Sequence, residues 1–173
     1  MIRLGRVLLV VAAGVATLAA APVDPVQGLA GRYSHHFKNG TVDGETYWSD
    51  DVVEVVPVDA GHAYVRFALD FYNGHSCSLE GVARAEGDAL VYHEPAADQI
   101  GEGECLLRIS RRGNQLVWDD AGGSCKDHCG ARGSLTDGSL AWSSKRAITY
   151  LPRLKGSAAY RDALAAWRKD GAK

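Results

Sequence analysis

Residues able to do chemistry are concentrated between Cys125 and Ser134, a stretch that also contains His128, Cys129 and Arg132. Cysteine and histidine can hold zinc, two cysteines can form a disulfide, and a guanidinium can bind a carboxylate or a phosphate. Structural zinc sites usually need two pairs of ligands, and only one closely spaced cysteine pair is present here. The spacing of this pair also differs from the Cys-x-x-Cys of redox and haem-attachment motifs. We therefore predict no metal site and no cofactor.

The beginning of the chain indicates export. Arg3 and Arg6 precede an apolar run and a group of small residues, which is the pattern of a signal peptide over residues 1–21. The apolar run is shorter than the roughly 20 residues of a membrane span, so we expect no stable membrane insertion after cleavage. An uncleaved N-terminal anchor is the alternative. The predicted location is the periplasm or the medium outside the cell.

An even number of cysteines in an exported chain is typical of a disulfide framework. The four cysteines are Cys77, Cys105, Cys125 and Cys129. In a strand meander, Cys77 and Cys105 would lie at the same end of the sheet, on either side of one short strand. A bridge between them is then feasible, and it leaves Cys125 to pair with Cys129. We favour this pairing, although four cysteines allow three and the sequence does not decide among them.

Length and charge restrict the class of protein. About 150 residues remain after the predicted leader, which suits one domain with one core. The chain has 19 basic and 21 acidic side chains. Loss of two arginines with the leader leaves 17 against 21, a net charge of −4. This balance argues against a general nucleic-acid binder, which needs a basic face.

Hydrophobic periodicity predicts an all-β fold. Apolar and polar residues alternate from His62 to Tyr72, as in a strand with one face on a core. Further strands are expected over 52–58, 77–85, 89–94, 105–110, 115–119, 133–135, 139–143 and 147–151, with turns at 86–88 and 112–114. Closing such a meander into an antiparallel up-and-down barrel removes its unpaired edges.

The predicted domain organisation has four parts. Residues 1–21 form the signal peptide, 22–30 a flexible tether, 31–156 the β-barrel, and 157–170 a C-terminal helix packed on the barrel. Ser157 is a suitable N-terminal cap for this helix, and apolar residues recur after it at intervals of three and four.

Other histidines and carboxylates give weaker signals. His35 and His36 are adjacent, so on a strand they point to opposite faces and do not share a metal. His75 follows Asn73-Gly74, a pair that favours a turn. No nucleophile elbow, zinc-protease helix or phosphate-binding glycine loop occurs. We therefore predict a protein that is not an enzyme, and keep a hydrolase-type enzyme using His75 or His93 as an alternative.

The order of the cysteines, followed by Gly130 and the run Arg132-Gly133-Ser134, resembles small secreted proteobacterial β-domains of the periplasmic lysozyme-inhibitor group. The resemblance covers roughly residues 75–140. It implies a disulfide-held barrel that inserts a serine and a basic residue into a lysozyme cleft, here Ser134 and Arg132. Gly31-Arg32-Tyr33, at the start of a meander that ends in a helix, also resembles the lipocalins.

We therefore expect an exported binding or inhibitor protein whose partner is a protein of the cell envelope, such as a lysozyme. The candidate partner-binding residues are Arg132, Ser134, His128 and His75. A second alternative is a carrier that holds a small apolar ligand inside the barrel. The sequence leaves the oligomeric state open.

Overall fold

The computed structural model of the protein describes residues 24–96, 98–99 and 103–171, so the predicted signal peptide lies outside the described residues. Eight antiparallel strands form one sheet in which each strand pairs with the next along the chain. They are β1 Gly31–Gly40, β2 Thr46–Pro57, β3 His62–Asp70, β4 Ser76–Glu86, β5 Ala89–His93, β6 Leu106–Arg112, β7 Gln115–Asp119 and β8 Gly138–Ala141.

The first and last strands approach each other and nearly close the sheet into a barrel. Beyond β8, Arg146 exchanges two backbone hydrogen bonds with Arg32 of β1, with N–O distances of 2.8 and 2.9 Å. The Ser34 amide also donates to the Ser144 hydroxyl at 3.3 Å. The prediction of an all-β, up-and-down barrel with a C-terminal helix is confirmed.

The two ends of the barrel differ, and we name them by their connections. At the turn end lie the tight turns that join β2 to β3, β4 to β5 and β6 to β7. At the loop end lie the tip of the β1–β2 hairpin, the 3-10 turn Tyr72–Gly74 and the long segment of residues 120–137. The turns expected at 86–88 and 112–114 are both present at the turn end.

Side chains fill the inside of the barrel. The strands direct alternate apolar residues inward, and those of the core, among them Phe67 and Leu107, are buried. Gly81 shows how tightly they pack, because a Cβ atom there would lie 2.1 Å from the Tyr92 ring. A Cβ atom at Gly138 would likewise lie 2.2 Å from the Trp118 ring, so this glycine also leaves space for an aromatic side chain. This packing leaves the alternative of an apolar ligand inside the barrel without support.

A short helix, α1 (Pro25–Leu29), covers the turn end. Its Val26 and Leu29 are buried in the barrel core. The Tyr33 hydroxyl donates to the Leu29 carbonyl at 2.9 Å, and the Lys145 ammonium donates to the Gly28 carbonyl at 2.7 Å. The prediction of a flexible tether over 22–30 is therefore wrong for residues 24–30. The two prolines suggested an irregular segment, and two buried apolar residues are too few to show a helical period in the sequence.

Two helices follow the barrel and pack on its outer face. They are α2 (Leu151–Lys155) and α3 (Ala158–Asp170). Ser157 caps α3 as predicted, since its hydroxyl accepts from the Tyr160 amide at 3.2 Å. The Tyr160 ring then packs on Tyr64 of β3, with centroids 4.9 Å apart. None of the described helices is long and apolar enough to cross a membrane.

Two of the expected short strands are absent. Residues 133–135 lie in the long segment of the loop end, and 147–150 form a loop that leads into α2, whose first residue is Leu151. Both stretches contain the β-favouring or apolar residues that suggest a strand. Neither finds a neighbouring strand edge, and a strand needs that pairing partner to satisfy its backbone.

A row of alternating charges crosses the outer face of the first four strands. Arg32, Glu54, Arg66 and Glu80 lie directly opposite one another in the strand register. Glu54 is fully buried and accepts hydrogen bonds from Arg66 Nε at 2.7 Å and from the Tyr150 hydroxyl. A buried carboxylate that loses such partners costs several kcal/mol. The row therefore favours this register and holds the segment before α2 against the barrel.

The filled interior can be tested with Gly81→Ala. The added methyl group meets the Tyr92 ring, so we expect the free energy of unfolding to fall by about 2–3 kcal/mol in chemical denaturation. Gly103→Ala is the matched control, because among the described residues no atom other than those of its chain neighbours lies within 4 Å of a Cβ placed there. Its effect should stay within about 0.5 kcal/mol. Equal stability of the two variants would contradict a filled barrel.

Candidate functional site

Two disulfides attach the long segment of the loop end to the barrel. Cys77, in β4, is bonded to Cys129, and Cys105, just before β6, is bonded to Cys125. The expected pairing of Cys77 with Cys105 and of Cys125 with Cys129 is therefore wrong. Two disulfides indicate an oxidising environment, either periplasmic or extracellular.

The strand register explains why Cys77 does not meet Cys105. Ala83 of β4 pairs with Tyr92 of β5, and β5 in turn places Cys105 opposite Glu94. Cys105 is thus level with Gly81, which lies four residues from Cys77 along β4. Cys105 itself lies two strands away from β4, just before β6. At about 3.3 Å per residue the four-residue separation is roughly 13 Å along the strand direction alone, too far for a disulfide.

Two buried carboxylates, those of Asp120 and Glu94, hold the disulfide-linked segment by hydrogen bonds on its inner side. Asp120 accepts hydrogen bonds from the amides of Gly123 (3.0 Å) and Cys125 (3.2 Å) and from the Thr136 hydroxyl (2.7 Å). Because Asp120 is itself buried, these bonds are shielded from water. They join the beginning and the end of the segment.

Glu94 is the second of these carboxylates. It accepts from the Cys105 amide at 3.2 Å and contacts His128 Nε2 at 2.7 Å. The side chains of Glu94 and His128 are 2% and 13% exposed. His128, expected to bind a partner, thus faces inward and braces the segment, with little of its ring accessible.

Lys126 shapes the part of the segment that carries Arg132. Its ammonium donates to three backbone carbonyls, those of Gly130 (3.1 Å), Ala131 (3.3 Å) and Gly133 (2.8 Å). The backbone of this loop therefore curves around the Lys126 ammonium. The sequence pattern did not reveal this role of Lys126. Gly133 is required by contact, since a Cβ there would lie 2.7 Å from Cys77 Sγ.

Arg132 and Ser134 are both exposed at the surface of this segment. The Ser134 hydroxyl accepts from the Thr136 amide at 3.0 Å. Arg132 makes no hydrogen bond or ion pair with any residue that the structure describes. Its guanidinium therefore presents its full set of donors on a loop with a defined shape.

His75 directly precedes β4 and lies beside Gly130 of the same loop. It is half-buried, and its Nδ1 would be 3.3 Å from a Cβ placed on Gly130. The Gly130 amide donates to the Ser76 carbonyl at 2.8 Å, so the loop and the start of β4 are joined by backbone. The structure thus brings together His75, Arg132 and Ser134 at one end of the barrel.

Sequence reasoning missed the tip of the β1–β2 hairpin. Pairing of β2 with β3 begins only at Val52, so the preceding residues of β2 extend beyond the barrel with β1 as their neighbour. The large hydrophobic residues most exposed in the described chain lie at this tip or in the 3-10 turn beside it: Trp48 is 64% exposed, Val42 63% and, in the turn, Tyr72 47%. Their grouping could not be read from the sequence, where each is an isolated apolar residue.

The hairpin tip is held in place by the neighbouring 3-10 turn. The Tyr72 hydroxyl donates to the Thr41 carbonyl at 2.7 Å, and the Gly74 amide donates to the Tyr47 hydroxyl at 2.9 Å. The Asn39 amide group also donates to the Phe71 carbonyl at 3.0 Å. The tip is therefore anchored to the residues that lead directly to Cys77.

Trp48 is also fixed in orientation. The indole stacks on the His36 ring, with centroids 4.6 Å apart and planes 9° from parallel. His36 Nδ1 in turn contacts an Asp50 oxygen at 3.0 Å. On the other face of the hairpin, His35 stacks on Phe37. The two adjacent histidines thus point to opposite faces, as predicted.

A carboxylate with a perturbed pKa lies beside the hairpin tip. Burial raises the pKa of Asp51 above its ordinary value, although the Asp70 amide donates to it at 2.9 Å and His35 also lowers it. Asp51 is only half-buried and is already used to hold β3 against β2. Its shift therefore follows from its structural position.

The enzyme alternative requires a histidine with a carboxylate in a cleft. His93 Nδ1 lies 2.8 Å from Glu104 Oε1 in a cleft of about 450 Å³ between α3 and the outer face of β3–β5. Both side chains are about half exposed, and the described lining contains no hydroxyl or thiol nucleophile. His75 has no carboxylate partner among the described residues. Within the same residues, no group of three or more histidine, cysteine or acidic side chains is placed to hold a metal.

No protein-family model matches the chain, and comparisons with curated proteins and with solved structures find no match either. The resemblance to the lysozyme-inhibitor group stays a prediction.

The disulfide pairing can be tested by a non-reducing tryptic digest. Cleavage after lysine and arginine places each cysteine on its own peptide, namely 67–84, 85–108, 113–126 and 127–132. We expect mass spectrometry to find 67–84 joined to 127–132 and 85–108 joined to 113–126. A peptide pair 67–84 with 85–108 would instead support the pairing that the structure rejects.

Lys126→Met tests whether the ammonium shapes the loop. It removes three hydrogen bonds and leaves the carbonyls of Gly130, Ala131 and Gly133 to water. We expect faster amide hydrogen exchange over residues 129–135 and a loss of about 1–2 kcal/mol in the free energy of unfolding. Lys155→Met, at an exposed position of α2, is the control and should change neither. Unchanged exchange in Lys126→Met would show that the loop keeps its shape without the lysine.

Proposed function

We propose that this protein is an exported binding protein that captures a protein partner of the cell envelope with the loop end of its barrel. The observation that carries the proposal is the grouping of features at that end. The most exposed large hydrophobic residues of the described chain lie there, beside a disulfide-linked loop that presents Arg132. The other described surfaces offer no comparable group.

The hairpin tip and the loop are both attached to one short segment of the chain. Residues 72–77 join them, since Tyr72 and Gly74 hold the hairpin while Ser76 and Cys77 hold the loop. Tryptophan, tyrosine and arginine are the residue types that most often dominate binding energy at protein interfaces. Here Trp48, Tyr72 and Arg132 supply one of each.

Rigidity favours binding by this surface. Two disulfides, two buried carboxylates and the Lys126 ammonium hold the loop before any partner arrives. A loop that is already ordered loses less conformational entropy on binding, so more of the contact energy appears as affinity. The filled barrel adds to this, because it gives the loop end a stable base.

The proposed class of partner is a lysozyme. Glycoside hydrolases of this kind cut with a pair of carboxylates in a cleft. A guanidinium on a projecting, rigid loop matches such carboxylates in charge and in geometry. The cysteine order and the Arg132-Gly133-Ser134 run support the same assignment through their resemblance to the inhibitor group.

Inhibition of cell-wall lysis by purified c-type and g-type lysozymes tests the proposal. We expect the wild-type protein to inhibit at least one class. Arg132→Ala should weaken inhibition by about 30-fold, as for a central interface residue, and Ser134→Ala by less. Trp48→Ala should weaken the same binding, measured by surface plasmon resonance.

Arg168→Ala is the matched control, since Arg168 is exposed on α3 and away from the loop end. It should inhibit as the wild type does. Failure to bind or inhibit any lysozyme would exclude this class of partner. Inhibition that survives Arg132→Ala and Ser134→Ala together would exclude the loop as the inhibitory element.

A further inference from the structure

Four basic residues lie together at the turn end, opposite the proposed partner-binding surface. Arg111 and Arg112 are the last two residues of β6, and Lys145 and Arg146 follow the 3-10 turn Trp142–Ser144. The two segments are in contact, because the Trp142 amide donates to the Asn114 carbonyl at 2.9 Å. We call these four residues the basic rim.

The Trp142 ring holds two of these cations close to each other. Arg111 Cζ lies 4.2 Å from the ring centroid, and Lys145 Nζ lies 4.7 Å from it. Burial lowers the pKa of Lys145, and the positive charge of Arg111 lowers it further. Two like charges are thus kept side by side, an arrangement that an anion would stabilise.

The charges of the basic rim are not neutralised by the described acidic residues. The rim side chains donate to backbone carbonyls: Arg111 to Gly113, Lys145 to Gly28, and Arg146 to Ser143. None of the four rim residues forms an ion pair with an acidic residue in the part of the chain that is described.

The acidic residues nearest the rim already have other partners. Asp88, which shares a shallow cavity with Arg111, pairs with Arg108 at 3.0 Å, and Glu86 pairs with Arg84. The Asp24 side chain caps α1 by accepting from the Val26 amide. The rim therefore keeps an excess of positive charge, although the protein as a whole is acidic.

The N-terminal connection is at the same end. Helix α1 covers the turn end, and Asp24 directly precedes it, so the predicted leader is attached here. The Lys145 bond to Gly28 also links the rim to this connection.

We propose that the basic rim docks the folded domain, reversibly, on a bilayer surface that contains anionic phospholipid. The contact is electrostatic and peripheral, since the rim adds cations and no exposed large hydrophobic side chain. Docking by the turn end leaves the loop end pointing away from the membrane. This inference does not depend on the identity of the protein partner.

Vesicle sedimentation tests the proposal with the exported protein purified from the periplasm. We expect binding to phosphatidylcholine vesicles containing 30 mol% phosphatidylglycerol in about 20 mM salt, and none to pure phosphatidylcholine. About 0.5 M salt should release the protein, because screening then acts within a few ångströms. Absence of binding to the anionic vesicles at low salt would overturn the proposal.

Charge variants test the surface itself. Each basic residue near an anionic surface contributes about five-fold in affinity, so Arg111→Gln with Arg112→Gln should weaken binding about 30-fold. Arg112 is exposed, and its side chain forms no hydrogen bond or ion pair with the described residues. Arg112→Gln alone should therefore weaken binding about five-fold and leave thermal unfolding unchanged.

The matched control is Arg153→Gln with Lys155→Gln, which makes the same change in net charge on α2, at the side of the barrel. It should bind as the wild type does, and an equal loss would show that net charge and not the rim is responsible. Inorganic phosphate at constant ionic strength should not displace the protein. Displacement would instead identify a site for free phosphate and overturn docking on a lipid surface.

Discussion

The covalent attachment of residues 120–137 to two points of the barrel is the constraint on which the loop end depends. This segment contributes few apolar residues to the core, chiefly Leu135 beside the cysteines, so burial alone does little to order it. The disulfides close loops of 52 and 20 residues. In the chain-entropy description they stabilise the fold by about 4 and about 3 kcal/mol. An ordered polar loop can therefore project from a small domain.

Polar side chains then give the attached segment its detailed shape. Asp120 and Glu94 provide buried acceptors for amides that have no strand partner, and Lys126 gathers three carbonyls on the outer side. Each of these groups would be costly if left unpaired, so the network favours one conformation. The same logic appears at Glu54, where a buried carboxylate holds the C-terminal segment against the sheet. Several charged residues of this protein thus have a structural role and hold the backbone in position.

The nearly closed, filled barrel separates two surfaces of different character. The loop end joins an aromatic hairpin tip to a rigid loop with an exposed arginine, whereas the turn end carries the basic rim beside the N-terminal connection. Tyr92 opposite Gly81 and Trp118 opposite Gly138 make the barrel a solid spacer between them. The two surfaces are therefore held in a fixed arrangement.

The sequence by itself determined the class of fold, the disulfide content and the capped C-terminal helix. Alternation along β3, glycine turns at 86–88 and 112–114, and Ser157 before an apolar stripe are local signals, and local backbone preference dictates them. Only the tertiary structure decided the disulfide partners, because they depend on how far each strand is displaced in register from its neighbours. It also decided the ordering of α1, the inward orientation of His128 and the grouping of Trp48, Val42 and Tyr72. These features arise from contacts between residues distant in sequence, and no spacing along the chain records them.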